Sequence, residues 1–319
     1  MFEMRRLIVL ALLLGSCGGP LTAASPTKTP PTYTRTTVAS GVWSPALAVS
    51  SNATMFVALN RQDASGRDAT GSIGALRPGR AQIEPLPGSN AAGTVSALAV
   101  APDQSLYFAR TSNADPTANG IYRYADGVIS VVAGGGSNLL PTGKATAVAL
   151  QGVVSLAFLP DRSIVAAEYG DDRILRITPD GTISTLVGTG GCDGSLDPPT
   201  QKRALEIALC GPGPLAADSA GTIYVAERER DWILAVDGNG NVRVIAQKVG
   251  RVSALAVEKS GALVAADLAG SRLVRLASGS LDVVATGLHS PRAIAVTESG
   301  DIYSSDDLVG EIVRLAPQP

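Results

Sequence analysis

Histidine, aromatic residues and runs of one charge are scarce in this chain, and each scarcity removes a class of chemistry. A single histidine, His289, among 319 residues cannot build a three-histidine zinc site. Phe, Tyr and Trp together make up 4% of the sequence, which offers few platforms for stacking sugars. The formal net charge is -2 and no run of Lys or Arg occurs, so the electrostatic footprint of a nucleic-acid binder is missing and DNA or RNA is discounted as a partner. Helical periodicity is nearly absent. The one early apolar run, 7–14, is far shorter than the roughly 20 residues that span a bilayer as a helix.

What is present suits one large all-β domain. Apolar residues make up 45% of the chain, with 35 Gly and 20 Pro, as expected for many short strands joined by tight turns. Small-apolar strands recur six times, at 46–49, 97–100, 155–158, 214–217, 254–257 and 293–296. Each opens a unit of four strands. Pro102-Asp103, Pro160-Asp161, Ser260-Gly261 and Ser299-Gly300 mark turns after first strands, and Asp126-Gly127, Asp180-Gly181 and Asn239-Gly240 mark turns after third strands. Such a unit cannot bury its own apolar face, so the copies must stack, and radial stacking of four-stranded meanders gives a six-bladed β-propeller. The last unit is one strand short, whereas 33–39 reads as an outer strand. Pairing the two ends closes the ring and removes an open edge.

The N-terminus reads as an export signal. Arg5 and Arg6 precede the apolar run, and Leu14-Gly15-Ser16-Cys17 resembles a bacterial lipobox, which implies a signal peptide over 1–16 and lipidation of Cys17. Residues 17–32, rich in Pro, Thr and Ala, read as a flexible tether, and 33–319 as the propeller. By resemblance to sorted lipoproteins, in which Asp after the lipidated Cys implies inner-membrane retention, Gly18 favours the outer membrane if the organism has one. The expected setting is the extracytoplasmic cell envelope, with a monomer held on a membrane through its lipid anchor.

Ile164-Val165-Ala166-Ala167-Glu168 and Arg173-Ile174-Leu175-Arg176-Ile177, with the corresponding stretches 223–227 and 232–236 and 263–267 and 272–276, resemble NHL repeats. The resemblance runs over about 42–319 and is weakest in the first two units, where Leu59 and Arg110 replace the acid. It implies a six-bladed propeller of the kind found in protein- and carbohydrate-binding modules, sensors, lactonases and lyases, and so narrows fold more than activity.

The recurrent acids Glu168, Glu227, Asp267 and Asp306 admit two readings. Each carboxylate can cap a turn or pair with Arg173 or Arg272, which is the preferred, structural reading. Alternatively, acids from several blades ring the channel mouth and bind a hard cation such as calcium. The sixth unit has Glu311 where Arg is expected, which makes Asp267, Asp306, Asp307 and Glu311 the candidate metal ligands. Lyases of similar shape use several His, and metal-dependent lactonases place a Glu near the first inner strand, where this chain has Val42-Trp43-Ser44-Pro45. Both departures argue against catalysis, and no cofactor is expected.

Two connections, 134–151 and 188–214, are unusually long and are expected on the face that carries the turns after the acids. The second holds Cys192 and Cys210, which read as a disulfide in an exported protein, with separate thiols as the alternative. The loop 193–199 between them is a weak calcium candidate, and 60–71, with Asp63, Arg67 and Asp68, a solvated excursion. Two functions result. One is a binding or scaffold propeller whose face, with Trp43, Arg251, Arg292, Glu168 and Glu227, meets an envelope protein or glycan. The other is a metal-dependent hydrolase, lactonase or lyase at the central channel, with His289 as base. The sparse site chemistry favours binding.

Overall fold

The computed structural model describes residues 32–62, 69–195, 202–277 and 279–318. The signal and Cys17, the tether up to residue 31, Asp63, Arg67, Asp68 and the 196–199 part of the calcium candidate lie outside the described residues.

Six antiparallel sheets form the blades of a β-propeller. Blades three to five show the regular unit. In blade three the inner strand Val153–Phe158 is followed by Ile164–Glu168, Arg173–Ile177 and the outer Thr182–Val187. Blade four is built from Pro212–Ala217, Ile223–Glu227, Trp232–Val236 and Val242–Gln247, and blade five from Val252–Val257, Leu263–Asp267, Arg272–Ala277 and Ser280–Thr286. The turns are locked by carboxylates that accept a backbone amide two residues on, as Asp161 does from Ser163 at 2.9 Å and Asp103 from Ser105 at 3.0 Å.

The core lies between blades. Ala97, Ala109 and Ile121 of blade two pack with Leu156, Ile164 and Leu175 of blade three, and each further junction repeats the arrangement. Inner strands crowd around the axis, which accounts for their small side chains, such as Ala97, Ala254 and Ala293. The ring closes as the sequence suggests. Tyr33–Ser40 pairs antiparallel with Glu311–Pro317, from Tyr33 opposite Pro317 to Ser40 opposite Glu311, as the outer strand of blade six.

The long connections depart from expectation. Both leave the acid-bearing face and run down the outside of the ring into the groove between two blades. Gly143 and Lys144 pair with Ile183 and Thr182 at the far end of blade three's outer strand, and Arg203 bridges Asn241 at the same place on blade four. Val148 and Leu150 of the first connection, and Ile207 and Leu209 of the second, are buried against the flanking blades. Each such side chain contributes about 1.5–3 kcal/mol of burial, so these segments serve the ring. Cys192 and Cys210 form a disulfide, with Cα atoms 4.7 Å apart.

Candidate functional site

Register places the recurrent acid at one position in each regular blade. Glu168 stands opposite Val153, Glu227 opposite Pro212, Asp267 opposite Val252 and Asp306 opposite Pro291, always the first residue of the inner strand. There the four carboxylates are at most 2% exposed, and each is bonded on several sides. Glu168 accepts from the Gln151 amide at 2.6 Å and from Arg173 Nε at 2.5 Å. Glu227 accepts from the Cys210 amide at 2.7 Å and from Arg230 at 3.1 Å, because Trp232 occupies the position that Arg173 and Arg272 fill in neighbouring blades. Asp267 takes the Gly270 amide at 2.8 Å and Arg272 Nε at 2.9 Å. Asp306 takes three amides, of His289 at 2.7 Å, Ser290 at 3.0 Å and Leu308 at 3.2 Å. Burial pushes the Glu168 and Glu227 carboxyls up, against the pull of their amide and arginine donors. Burial acts on Asp306 in the same sense, yet its three amides overcome it and hold the group below the usual carboxylate value.

The next residue, the first of the turn in blades four to six, still pairs its amide with the segment before the inner strand, as Arg228 does with Gly211 and Asp307 with Ser290, and points the other way. Asn60, Arg228, Leu268 and Asp307 follow the positions of Leu59, Glu227, Asp267 and Asp306, and all four line a cavity of about 750 Å³ at the mouth of the central channel. Trp43, Arg251 and Arg292 complete its distinctive chemistry. Below it the inner strands leave a narrow channel of about 90 Å³, lined by residues such as Ser96, Ser155 and Ser253.

The mouth is cationic. Arg292 lies 3.7 Å from Asp307, while among the described residues Arg228 and Arg251 have no ion-pair partner within 4.0 Å. Three guanidiniums thus face one carboxylate. Burial, together with the like charges of Arg292 and Arg251, pushes Arg228 down from the ordinary arginine value. Arg228 rests over the Tyr169 ring, 5.2 Å from its centroid, and fits there because Gly213 lacks a Cβ, which would sit 3.0 Å from its Nε. Trp43 is exposed and lies on Gly310, where a Cβ would come within 2.8 Å of the indole. Burial pushes the Asp307 carboxyl up despite Arg292, and its buried Oδ1 accepts no hydrogen bond.

The residues singled out in the sequence therefore separate. Trp43, Arg251, Arg292 and Asp307 meet at the mouth. Glu168, Glu227, Asp267 and Asp306 lie buried beside it. Glu311 stands opposite Asp306 on the neighbouring strand and accepts a 3.5 Å hydrogen bond from Thr37. His289, its side chain 55% exposed, holds Nδ1 3.3 Å from Asp306 Oδ2 and does not line the cavity. Among the described residues no three His, Cys, Asp or Glu side chains converge to hold a metal, so Asp267, Asp306, Asp307 and Glu311 do not form one ligand set. One carboxylate among three guanidiniums also repels a divalent cation, and a hard metal does not fit this mouth.

Arg228, Tyr169 and Asn60 escaped sequence reasoning. Their signal was the position after the acid, which varies as Tyr169, Arg228, Leu268 and Asp307 while the acid itself repeats. Asn60 has a further task, bonding both the N–H and the C=O of Val95 in the next inner strand.

No family model and no curated protein matches the chain. Solved structures do. A gluconolactonase from Xanthomonas campestris is 16% identical, with a TM-score of 0.64, over 90% of this chain and 90% of its own. Virginiamycin B lyase from Staphylococcus aureus is 13% identical, TM-score 0.57, over 90% and 100%. The PQQ-bound aldose sugar dehydrogenase from Streptomyces coelicolor is 19% identical, TM-score 0.60, over 91% and 99%. At these identities the likeness concerns the six-bladed fold.

Proposed function

We propose that this chain is a small-molecule-binding propeller whose channel mouth takes an anionic ligand, a carboxylate or phosphate carried on a compact body. The observation that carries it is the trio of Arg228, Arg251 and Arg292 around one cavity with Trp43 at its rim, in which, among the described residues, only Arg292 has an ion-pair partner within 4.0 Å. Guanidiniums at partial burial bind such oxyanions by charge-assisted hydrogen bonds. The similar lactonase, lyase and sugar dehydrogenase, all acting on small molecules, support this reading over a protein scaffold. The NHL-like repeats and a lipid anchor at Cys17 in the cell envelope belong to the same proposal, and detergent partitioning of wild type against Cys17→Ala tests the anchor.

Asp307 favours a second, catalytic reading. A half-buried carboxyl with a raised proton affinity, whose Oδ2 lies 3.7 Å from Arg292 at the mouth, is suited to move a proton to or from a ligand held by the arginines. This is the hydrolase or lyase alternative without a metal, and with Asp307 in the place expected for His289. Calorimetric titration with gluconate, glucose 6-phosphate, pyrroloquinoline quinone and neutral glucose decides the binding claim. Anions should bind and glucose should not, and Arg228→Ala should weaken anions at least tenfold. Equal binding of glucose and glucose 6-phosphate rejects it. Turnover of an anionic lactone or ester that is lost in Asp307→Asn, with binding retained, would establish the catalytic reading.

A further inference from the structure

The outer wall of the ring carries a second feature, independent of the mouth. The two long connections share the pattern basic, Ala, two variable residues, Val or Ile, Ala, Leu, in 144–150 and 203–209. Both use it in one way. The basic residue pairs with the first residues of the outer strand, Lys144 with Thr182 and Arg203 with Asn241, and the two apolar residues then wedge into the groove behind.

Between blades four and five the connection is only the four residues from Lys248 to Arg251, and no such segment exists. At the corresponding place lies an open groove of about 770 Å³, lined by Val244, Ile245, Leu276, Ser280 and Leu281 among others. Strand register makes the correspondence concrete. Ile183 stands opposite Ile177, Val242 opposite Val236 and Leu281 opposite Leu276, each facing the fifth residue of its third strand. Under their wedges Ile183 is 1% and Val242 7% exposed, whereas Leu281 is 46% and Val283 49% exposed. In blade six the position opposite Leu315 is Arg35, an ordinary solvent residue. Blade five alone among these presents an exposed apolar side chain at this position, which is covered in blades three and four and held by Arg35 in blade six.

We infer that this groove docks an extended peptide segment of another protein, which completes the junction in trans. The segment adds a short strand to the edge at Ser280 and Leu281 and inserts a small-apolar wedge of the Val/Ile-Ala-Leu kind. The two internal precedents define its chemistry, and Ser280 stands where Thr182 and Asn241 receive the basic residue in blades three and four.

The probe is the synthetic peptide of residues 143–152, Gly-Lys-Ala-Thr-Ala-Val-Ala-Leu-Gln-Gly, added in millimolar excess to the full chain and followed by hydrogen–deuterium exchange. Protection should rise in 280–286 and 243–247, with a dissociation constant below about 1 mM. Leu281→Lys should weaken binding at least tenfold and leave sulfate binding at the mouth unchanged. Leu281→Ser, a smaller change at the same exposed groove position, serves if Leu281→Lys fails to fold. No protection at millimolar peptide, or equal protection by a scrambled peptide, overturns the inference. Concentration-dependent protection of 280–286 without peptide also overturns it, in favour of a second copy of the chain as occupant.

Discussion

Asp306→Asn separates the buried carboxylates from the mouth beside them. Asp306 is 0% exposed and accepts amides from His289 at 2.7 Å, Ser290 at 3.0 Å and Leu308 at 3.2 Å. Asn retains one acceptor oxygen, and its amide group must then face at least one of those N–H donors. One or two buried donors lose their partner, each at a cost of about 1–3 kcal/mol, so the central expectation is about 3 kcal/mol. For a domain of this size that corresponds to a fall in Tm of roughly 6–12 °C. The pH dependence has a definite sign. The folded Asp306 carboxyl is held below its ordinary value, so its contribution is complete above the unfolded value of about 3.9 and is lost as pH falls through the lowered folded value. The stability gap between parent and variant should therefore be full at neutral pH and close below about pH 4. Thermal melts at several pH values, monitored by circular dichroism, measure this. A variant melting within about 2 °C of the parent at pH 7, or a gap that persists undiminished into acid, would refute the account.

Three further outcomes are expected. Asp307→Asn should leave Tm nearly unchanged, because Oδ1 has no donor to lose and Asn keeps an oxygen for the Ser44 backbone amide, while sulfate affinity rises several-fold. In the parent that affinity should climb as pH falls through the raised Asp307 value, and calorimetry of the variant should show this dependence abolished. Cys192→Ser opens a loop of sequence separation 18, which on chain-entropy grounds costs about 3 kcal/mol; denaturant titration of oxidised parent and variant reads it, and equal midpoints would contradict it. Gly310→Ala forces a side chain onto φ +66° and against the indole of Trp43, so Trp43 should be displaced and tryptophan emission shift to the red, Trp232 being buried. Unchanged emission would show that the indole is not held there.

Much of the ring was legible because its determinants are local and periodic. Hairpin residues such as Asp126-Gly127 specify their turns without tertiary help, and the missing last strand followed from counting. The long connections were not legible in the same way. Their apolar residues Val148, Leu150, Ile207 and Leu209 acquire meaning only when a groove between blades exists to receive them, and topology alone placed their start but not their path. The candidate metal ligands failed to gather for a related reason. Asp306 and Asp307 are adjacent in sequence, yet the last residue of the strand turns in among backbone amides and the first of the turn faces the mouth.

That alternation gives the ring a division of labour. At the end of the second strand in blades three to six one carboxylate is held by backbone amides, from the connection just before the inner strand for Glu168, Glu227 and Asp306 and from the following turn for Asp267, and it can be replaced only at a cost of several kcal/mol. The following residue faces the shared mouth, where Arg228, Leu268 and Asp307 differ in charge and polarity while the fold beneath them is the same. Substitution at the second position should therefore change which ligand enters with little loss of stability. The three guanidiniums at this mouth are the setting this chain has adopted, and a carboxylate at 228 in place of arginine would turn a site for anions toward one for cations on an unaltered ring.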